Sequence, residues 1–298
     1  MKAVQYAEQG GPEVLHVVDV DEPHAGSGQI RIAVRAVGVN PVDWKFRKGL
    51  MPVTLPHIPG SDVAGVVDEV GSGVTGVTVG DGVLGSAVGS GTAEFAVLEN
   101  VVAKPASMTW EEAAALPTAA ETSVRAFGVV GLQSGETMLV NAAAGGVGTA
   151  AVQLARARGV TVIGTASEDN HEFLQSLGAT PTTYGPGLAD RVRVLAPNGV
   201  DRALDASGRG ALADLIEITG SPERVVTIAD PEAGKYGVLF TGGGGGRAWE
   251  ALAEATALYE QGRLVLPVAA TFPLTGAPEA HRISEVGHVR GKLVITLD

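Results

Sequence analysis

Residues 138–153 read MLVNAAAGGVGTAAVQ. An apolar run meets a cluster of glycines, Gly145, Gly146 and Gly148, and a helix-forming stretch follows at once. A dinucleotide site needs this order. Glycine permits the tight turn and lets backbone approach a pyrophosphate, and a helix N-terminus offers free N–H groups at the positive end of a dipole. The spacing is Ala143-x-Gly145-x-x-Gly148, with alanine where the first glycine usually stands. Ala144, Gly145, Gly146, Val147 and Gly148 are therefore the predicted phosphate-binding residues.

The surrounding chain supports that reading. From Glu136 onward, strand-like runs at 137–142, 160–166, 200–206, 224–229 and 236–242 alternate with helix-like ones. Such alternation predicts an α/β fold with a doubly wound parallel sheet. The first hundred residues have another texture. GQIRIAVRAVGVN (28–40) places Ile30, Ile32, Val34 and Ala36 on one face and Arg31 and Arg35 on the other. Residues 62–85 are short strands broken by glycines, as in small β-barrels. Thr109, with Glu112 three residues on, has the spacing of a helix capping box. After a helix-like stretch at 248–264 the chain returns to strands and ends GKLVITLD. The glycine run 242–246 reads as a flexible turn. We expect two domains: a barrel from 1–112 and 263–298, and a dinucleotide-binding domain over 113–262.

Composition excludes several classes. With 298 residues the chain has room for two domains. A net charge of −12 argues against nucleic acid or an anionic membrane as partner. The absence of cysteine removes disulfides, thiolate chemistry and cysteine-ligated zinc. The uncharged span 137–155 holds Ala, Gly, Thr, Asn and Gln rather than Leu and Ile, so it does not read as a membrane span. The opening MKAVQYAEQGG has no apolar signal core, and a cytoplasmic protein is expected.

The end of the second strand selects the cofactor. An acid there binds the ribose 2′-hydroxyl of NAD, whereas small and hydrogen-bonding residues accept the 2′-phosphate of NADP. Thr165, Ala166 and Ser167 stand at this place, which favours NADPH, although Glu168 and Asp169 follow directly. No Lys or Arg is near in sequence. Asn170, His171 and Tyr184 are the candidates to complete the pocket.

Together AVGVNPVDWKFRKG (36–49), HIPGSDVAGVVDEVGSGVTGVTVGDGV (57–83), AEFAVL (93–98), ALPTAAETSVRAF (115–127), the glycine block, VIGTAS (162–167), LGA (177–179) and GKLVITL (291–297) carry a resemblance. The chain resembles a zinc-independent medium-chain dehydrogenase/reductase of the quinone oxidoreductase type over nearly its whole length. The resemblance implies a GroES-like β-barrel catalytic domain beside a Rossmann nucleotide-binding domain. It places NPVDW beside the nicotinamide, with Asn40 on the cofactor and Asp43 and Trp44 lining the active cleft. It puts Thr122, Ile228 and Phe240 near the nicotinamide end and Tyr184 near the adenosine phosphate, and it implies that Lys292, in the last barrel segment, reaches the cofactor. Homodimerisation through the 236–242 strand is also implied. The zinc-binding branch has Gly-His-Glu where this chain has Gly60-Ser61-Asp62, so no metal site is expected, and His57 reads as a loop residue.

Without a Lewis acid, hydride transfer suits an electrophile activated by conjugation, a quinone or an α,β-unsaturated carbonyl. The proton comes from water or from a side chain such as Asp43. An enoyl reductase acting on acyl thioesters and a non-catalytic NADPH-binding sensor or scaffold remain open alternatives.

Overall fold

The computed structural model describes residues 1–243 and 246–297. The middle of the glycine run, Gly244 and Gly245, lies outside the described residues. The chain divides into two compact units. One is Met1–Thr118 together with the chain from Leu266 onward, and the other is Ala119–Val265. These limits fall a few residues beyond the expected 112/113 and 262/263. Helix Trp110–Ala115 packs on the barrel strands and so belongs with them.

The first unit carries strands β1 (Lys2–Gln5), β2 (His16–Asp19), β3 (Ile30–Val39), β4 (Asp62–Val70), β5 (Gly82–Ala87) and β6 (Phe95–Ala103). The chain returns to it as β13 (Val268–Pro273) and β14 (Lys292–Thr296), once the second unit has contributed β7–β12. Strands β3, β4, β5 and β6 pair antiparallel in turn, and β3 also pairs with β6, which closes a ring. The ten residues of β3 allow this. Ile30–Ala33 meet β6, and Ala36–Val39 meet β14. The predicted alternation holds from Ile30 to Ala36, with Arg35 exposed. It stops at Val37–Val39, which are all buried. Gly38 shows why: a Cβ there would lie 2.3 Å from the Ala114 carbonyl of the Trp110–Ala115 helix. Thr109 and Glu112 form the predicted box, each side chain bonded to the other's amide (3.2 and 2.9 Å). Ile32, Val63, Leu84 and Leu98 are among the core residues.

The second unit is a six-stranded sheet of β7 (Thr137–Asn141), β8 (Thr161–Thr165), β9 (Thr180–Thr182), β10 (Arg202–Asp205), β11 (Val225–Thr227) and β12 (Leu239–Phe240). Every pairing is parallel, in the order β12-β11-β10-β7-β8-β9. Counted from β7 this is the 3-2-1-4-5-6 order of the dinucleotide-binding fold, with its switch point between β7 and β10. One expectation needs correction. The strand predicted over 236–242 is only Leu239–Phe240. Tyr236 instead ends a short helix, Ala233–Tyr236, capped by Gly237 at φ 67°.

Among the described residues, no helix is long and apolar enough to cross a membrane.

Candidate active site

The glycine turn begins where β7 ends. Ala142 adopts φ 64°, a left-handed conformation that costs a non-glycine residue about 1–2 kcal/mol. A chain of buried hydrogen bonds holds it there. Ala142 N donates to Thr165 Oγ1 (3.1 Å), and Ala143 N donates to the Thr165 carbonyl (2.9 Å). Thr165 Oγ1 donates to Asn141 Oδ1 (2.6 Å), and Asn141 Nδ2 donates to Asp205 Oδ1 (2.9 Å). Thr227 Oγ1 donates to Asp205 Oδ2 (2.8 Å). These residues stand at the carboxyl ends of β8, β7, β10 and β11. The chain therefore ties four strand ends together at the switch point, where open α/β sheets bind ligands.

Helix Gly146–Ala157 starts directly after the turn, with Gly145 as its N-cap. Its Thr149 N–H donates to the Gly145 carbonyl (2.8 Å), so the Gly146, Val147 and Gly148 amides precede the first full helical bond. The glycines serve different ends. A Cβ on Gly148 would sit 2.2 Å from the Ala142 carbonyl and 2.6 Å from Ala143 Cα, so helix and turn pack too closely for a side chain. A Cβ on Gly145 would meet Ala142 O at 3.5 Å, an ordinary contact, and its φ of −75° suits any residue. The described residues thus give no internal reason for glycine at 145. Backbone that must lie against a pyrophosphate gives one. The turn fits a dinucleotide.

At the far side, Ala166 is buried, and its N–H donates to the Thr182 carbonyl (3.0 Å). Ser167 Oγ accepts from Asn170 Nδ2 (2.9 Å) across the short turn 168–170. Tyr184 is exposed in the loop after β9. Ile228 is half-buried after β11, and Phe240 is exposed on β12. Thr122 Oγ1 accepts from Arg125 Nη2 (3.1 Å) beside Glu121, a fully buried acid. Glu121 also accepts from Arg125 Nε (2.8 Å), Arg247 Nη1 (3.2 Å) and Ala248 N (3.1 Å). Burial is the largest single influence on Glu121 and raises its pKa, but these donors together hold it below the usual carboxylate range.

The barrel unit brings together residues scattered along the sequence. Asn40 caps helix Pro41–Arg47, and its N–H donates to Asp43 Oδ2 (2.8 Å). The Asn40 side chain turns inward, with Nδ2 donating to Asp62 Oδ2 (2.9 Å) and Oδ1 accepting from Lys292 Nζ. Lys292 Nζ also lies 3.3 Å from Asp62 Oδ2. Asp62 Oδ1 accepts from Thr118 N (3.1 Å) and Thr118 Oγ1 (2.5 Å). Asp43 is pushed up to about 7, chiefly by burial. Asn40 N–H, Lys292 and Gly60 N–H oppose the rise, and Asp62 adds to it. The buried indole Nε1 of Trp44 has no partner among the described residues. His57 is a loop residue whose ring packs edge-on against Tyr6.

Asp62, Thr118, Glu121, Arg125, Asn141, Asp205 and Thr227 are among the residues to which the sequence reading gave no role. The one available signal was a carboxylate at one end of an apolar strand, opening it at Asp62-Val63-Ala64 and closing it at Ala203-Leu204-Asp205.

A closed antiparallel barrel and a parallel sheet with a glycine turn at its switch point define a nicotinamide-dependent oxidoreductase of GroES-like and Rossmann domains. Comparison with known proteins gives the family. Residues 26–144 match the family described as alcohol dehydrogenase GroES-like domain, and residues 177–295 match zinc-binding dehydrogenase. The 2-methylene-furan-3-one reductase of Solanum lycopersicum is 34% identical over 99% of this chain and 79% of its own length. The quinone oxidoreductase of Coxiella burnetii superposes with a TM-score of 0.88 at 32% identity, covering 100% of this chain and 99% of that one. The Escherichia coli quinone oxidoreductase, solved with NADPH, gives 0.84 at 25% identity, with full coverage of both chains. The chain belongs to the medium-chain dehydrogenase/reductase family, in its quinone oxidoreductase branch, and is an oxidoreductase.

Proposed function

We propose that this enzyme reduces quinones and activated α,β-unsaturated carbonyls with NADPH, by direct hydride transfer and without zinc. The observation that carries this reading is the setting of Asp62. Both of its carboxylate oxygens are engaged, Oδ1 by Thr118 and Oδ2 by Asn40 and Lys292. Asp62 is thus already neutralised by an ammonium group, and Ser61 stands where the zinc-binding branch has its ligand histidine. Among the described residues, no group of three His, Cys, Asp or Glu is arranged to hold a metal ion.

Bound NADPH supplies the hydride. The protein supplies position, charge and exclusion of water. The Gly145–Gly148 backbone binds the pyrophosphate, and Ser167, Asn170 and Tyr184 take the 2′-phosphate end. Thr165 and Ala166 frame the adenosine ribose. Thr122, Ile228 and Phe240 serve the nicotinamide end. Asn40, fixed by Asp62 and Lys292, orients the reacting end, with Asp43 and Trp44 beside the substrate. Asp43 can hold a proton near neutrality and release it to the reduced product. A quinone and a methylene-furanone are both conjugated carbonyls, so the relatives' names point to one electrophile chemistry. The substrate is a small molecule, the enzyme acts in the cytoplasm, and it forms a homodimer through the β12 edge.

A panel of a quinone and an enone, each with NADPH and with NADH, and of a simple alcohol with NADP+ and with NAD+, tests the proposal. Turnover of the first two with NADPH, unchanged after exhaustive chelation, is expected. Alcohol oxidation abolished by the chelator would overturn it.

A further inference from the structure

The glycine run 242–246 has no part in the site described above, yet the chain on both sides of it is anchored on one buried acid. Glu121 lies on the helix Pro117–Val130, within the unit Ala119–Val265. Its carboxylate holds Arg125 twice, Oε1 accepting from Nε (2.8 Å) and Oε2 from Nη2 (3.2 Å). Arg125 Nη1 is left to donate to Thr241 Oγ1, just before the run. Beyond the run, Arg247 Nη1 donates to Glu121 Oε2 (3.2 Å) and Ala248 N to Oε1 (3.1 Å). Arg247 also crosses its own loop. A Cβ on Gly243, which adopts φ 87°, would lie 2.7 Å from Arg247 Cζ. Both ends of the run are thus tied down. Among the described residues, neither Arg125 nor Arg247 has another carboxylate within ion-pair distance, so Glu121 alone keeps the two guanidinium groups together.

Two contacts show where this clasp sits. Thr241 follows β12, and its N–H donates to the carbonyl of Thr227, the last residue of β11 (3.1 Å). Two residues after Glu121, Ser123 Oγ donates to the Ala119 carbonyl (2.7 Å) and, more weakly, to that of Val147 (3.3 Å), in the first turn of helix Gly146–Ala157. The clasp therefore lies between the glycine turn after β7 and the carboxyl ends of β11 and β12. In a doubly wound sheet the adenosine half of a dinucleotide runs to one side of the switch point, here over β8, and the nicotinamide half runs to the other, over β10–β12.

We propose that Glu121 is a positioning residue for hydride transfer: by holding Arg125, and through it the Thr122 and Thr241 hydroxyls, together with Arg247, it fixes the chain that borders the nicotinamide end of NADPH. The inference rests on the NADPH reading above. It adds a residue that touches neither cofactor nor substrate, and it gives the glycine run a role, as a loop kept in place by the charge at its two ends.

The test compares the wild type, Glu121→Gln and Arg247→Gln, all as the full chain. Glutamine keeps the shape of Glu121 but turns an NH2 group toward donors and leaves two guanidinium groups uncompensated. Turnover of a quinone with NADPH is measured beside the binding of NADPH and of 2′,5′-ADP, which has the adenosine end and lacks the nicotinamide. In Glu121→Gln, kcat should fall by about tenfold or more, because the reacting atoms lose alignment. The affinity for 2′,5′-ADP should change by less than about twofold, because its site lies across the switch point from the clasp. The fluorescence of bound NADPH, which arises from the nicotinamide, should move toward that of the free cofactor. Arg247→Gln removes one anchor and should shift each readout the same way by less. Matching losses of kcat and of 2′,5′-ADP affinity would mean that Glu121 only supports the fold of its unit, and would overturn the inference, as would unchanged kcat in a folded Glu121→Gln. If Glu121→Gln does not fold, Arg247→Gln decides: lowered kcat with 2′,5′-ADP binding intact supports the inference, and unchanged kcat overturns it. A wild type that never oxidises NADPH with a quinone or an enone defeats the NADPH reading itself, which separates that failure from this one.

Discussion

Lys292 and Asp62, 230 residues apart, form a buried ion pair at 3.3 Å, and the amide of Asn40 bridges the two. Removing one partner of a buried pair leaves an uncompensated charge, so Lys292→Met should destabilise the protein by about 3–5 kcal/mol. Adding Asp62→Asn should restore part of this. Urea unfolding of the single and double variants measures the coupling. Additive losses would show that the pair does not act as a unit.

Asn40→Ala removes both the bridge and the group proposed to orient the reacting end. It should lower kcat/KM by about tenfold or more, roughly 1.4 kcal/mol of transition-state stabilisation. NADPH affinity should fall only modestly, since most of the contacts proposed for it lie at the glycine turn. Unchanged kcat/KM in a folded variant would remove Asn40 from the site.

The two glycines of the turn predict opposite defects. Gly148→Ala pushes a methyl into the Ala142 carbonyl and should cost folding stability. Gly145→Ala meets only an ordinary contact, so it should fold like the wild type and lose cofactor affinity. Gly146→Glu should abolish NADPH and NADH binding together. Thermal unfolding and fluorescence titration separate these cases, and a Gly145→Ala variant with wild-type affinity would displace the pyrophosphate from this turn.

This turn was the most legible part of the molecule, because strand, glycines and helix are contiguous and each residue type has a local cause. The barrel strand at Ile30–Val39 was legible by its alternation until close packing at Gly38 replaced it. The 236–242 strand was misread because an apolar run does not distinguish a short helix end from a strand, and the left-handed cap at Gly237 decided it. The Asp62–Lys292 pair could not be read, since it exists only through long-range folding.

Two buried groups give pH dependence of opposite sign. Asp43 sits at about 7 when folded against 3.8, so the folded protein holds its proton more readily between those values. Its contribution to stability therefore falls as pH rises from about 4 to 7, by on the order of a few kcal/mol. His281 is pushed down to about 4, first by burial and then by Arg47. Its contribution is present above about 6.5 and is lost as pH falls toward 4. Unfolding at pH 5 and pH 8 should show Asp43→Asn gaining most at pH 8, and His281→Gln losing the acid-side slope. If Asp43 is the proton source, kcat/KM also declines above about pH 7 in the wild type, and Asp43→Asn has no such inflection.

The central claim is direct hydride transfer from NADPH to a conjugated carbonyl. The most direct measurement uses an enone, whose product keeps a transferred label on carbon, with NADPH deuterated at either the 4R or the 4S position. Mass spectrometry of the product should show one deuterium from one of the two cofactors and none from the other, with stoichiometric loss of NADPH. Turnover that leaves the carbon unlabelled from both cofactors, or NADPH that binds and is never oxidised over the quinone and enone panel, would contradict it.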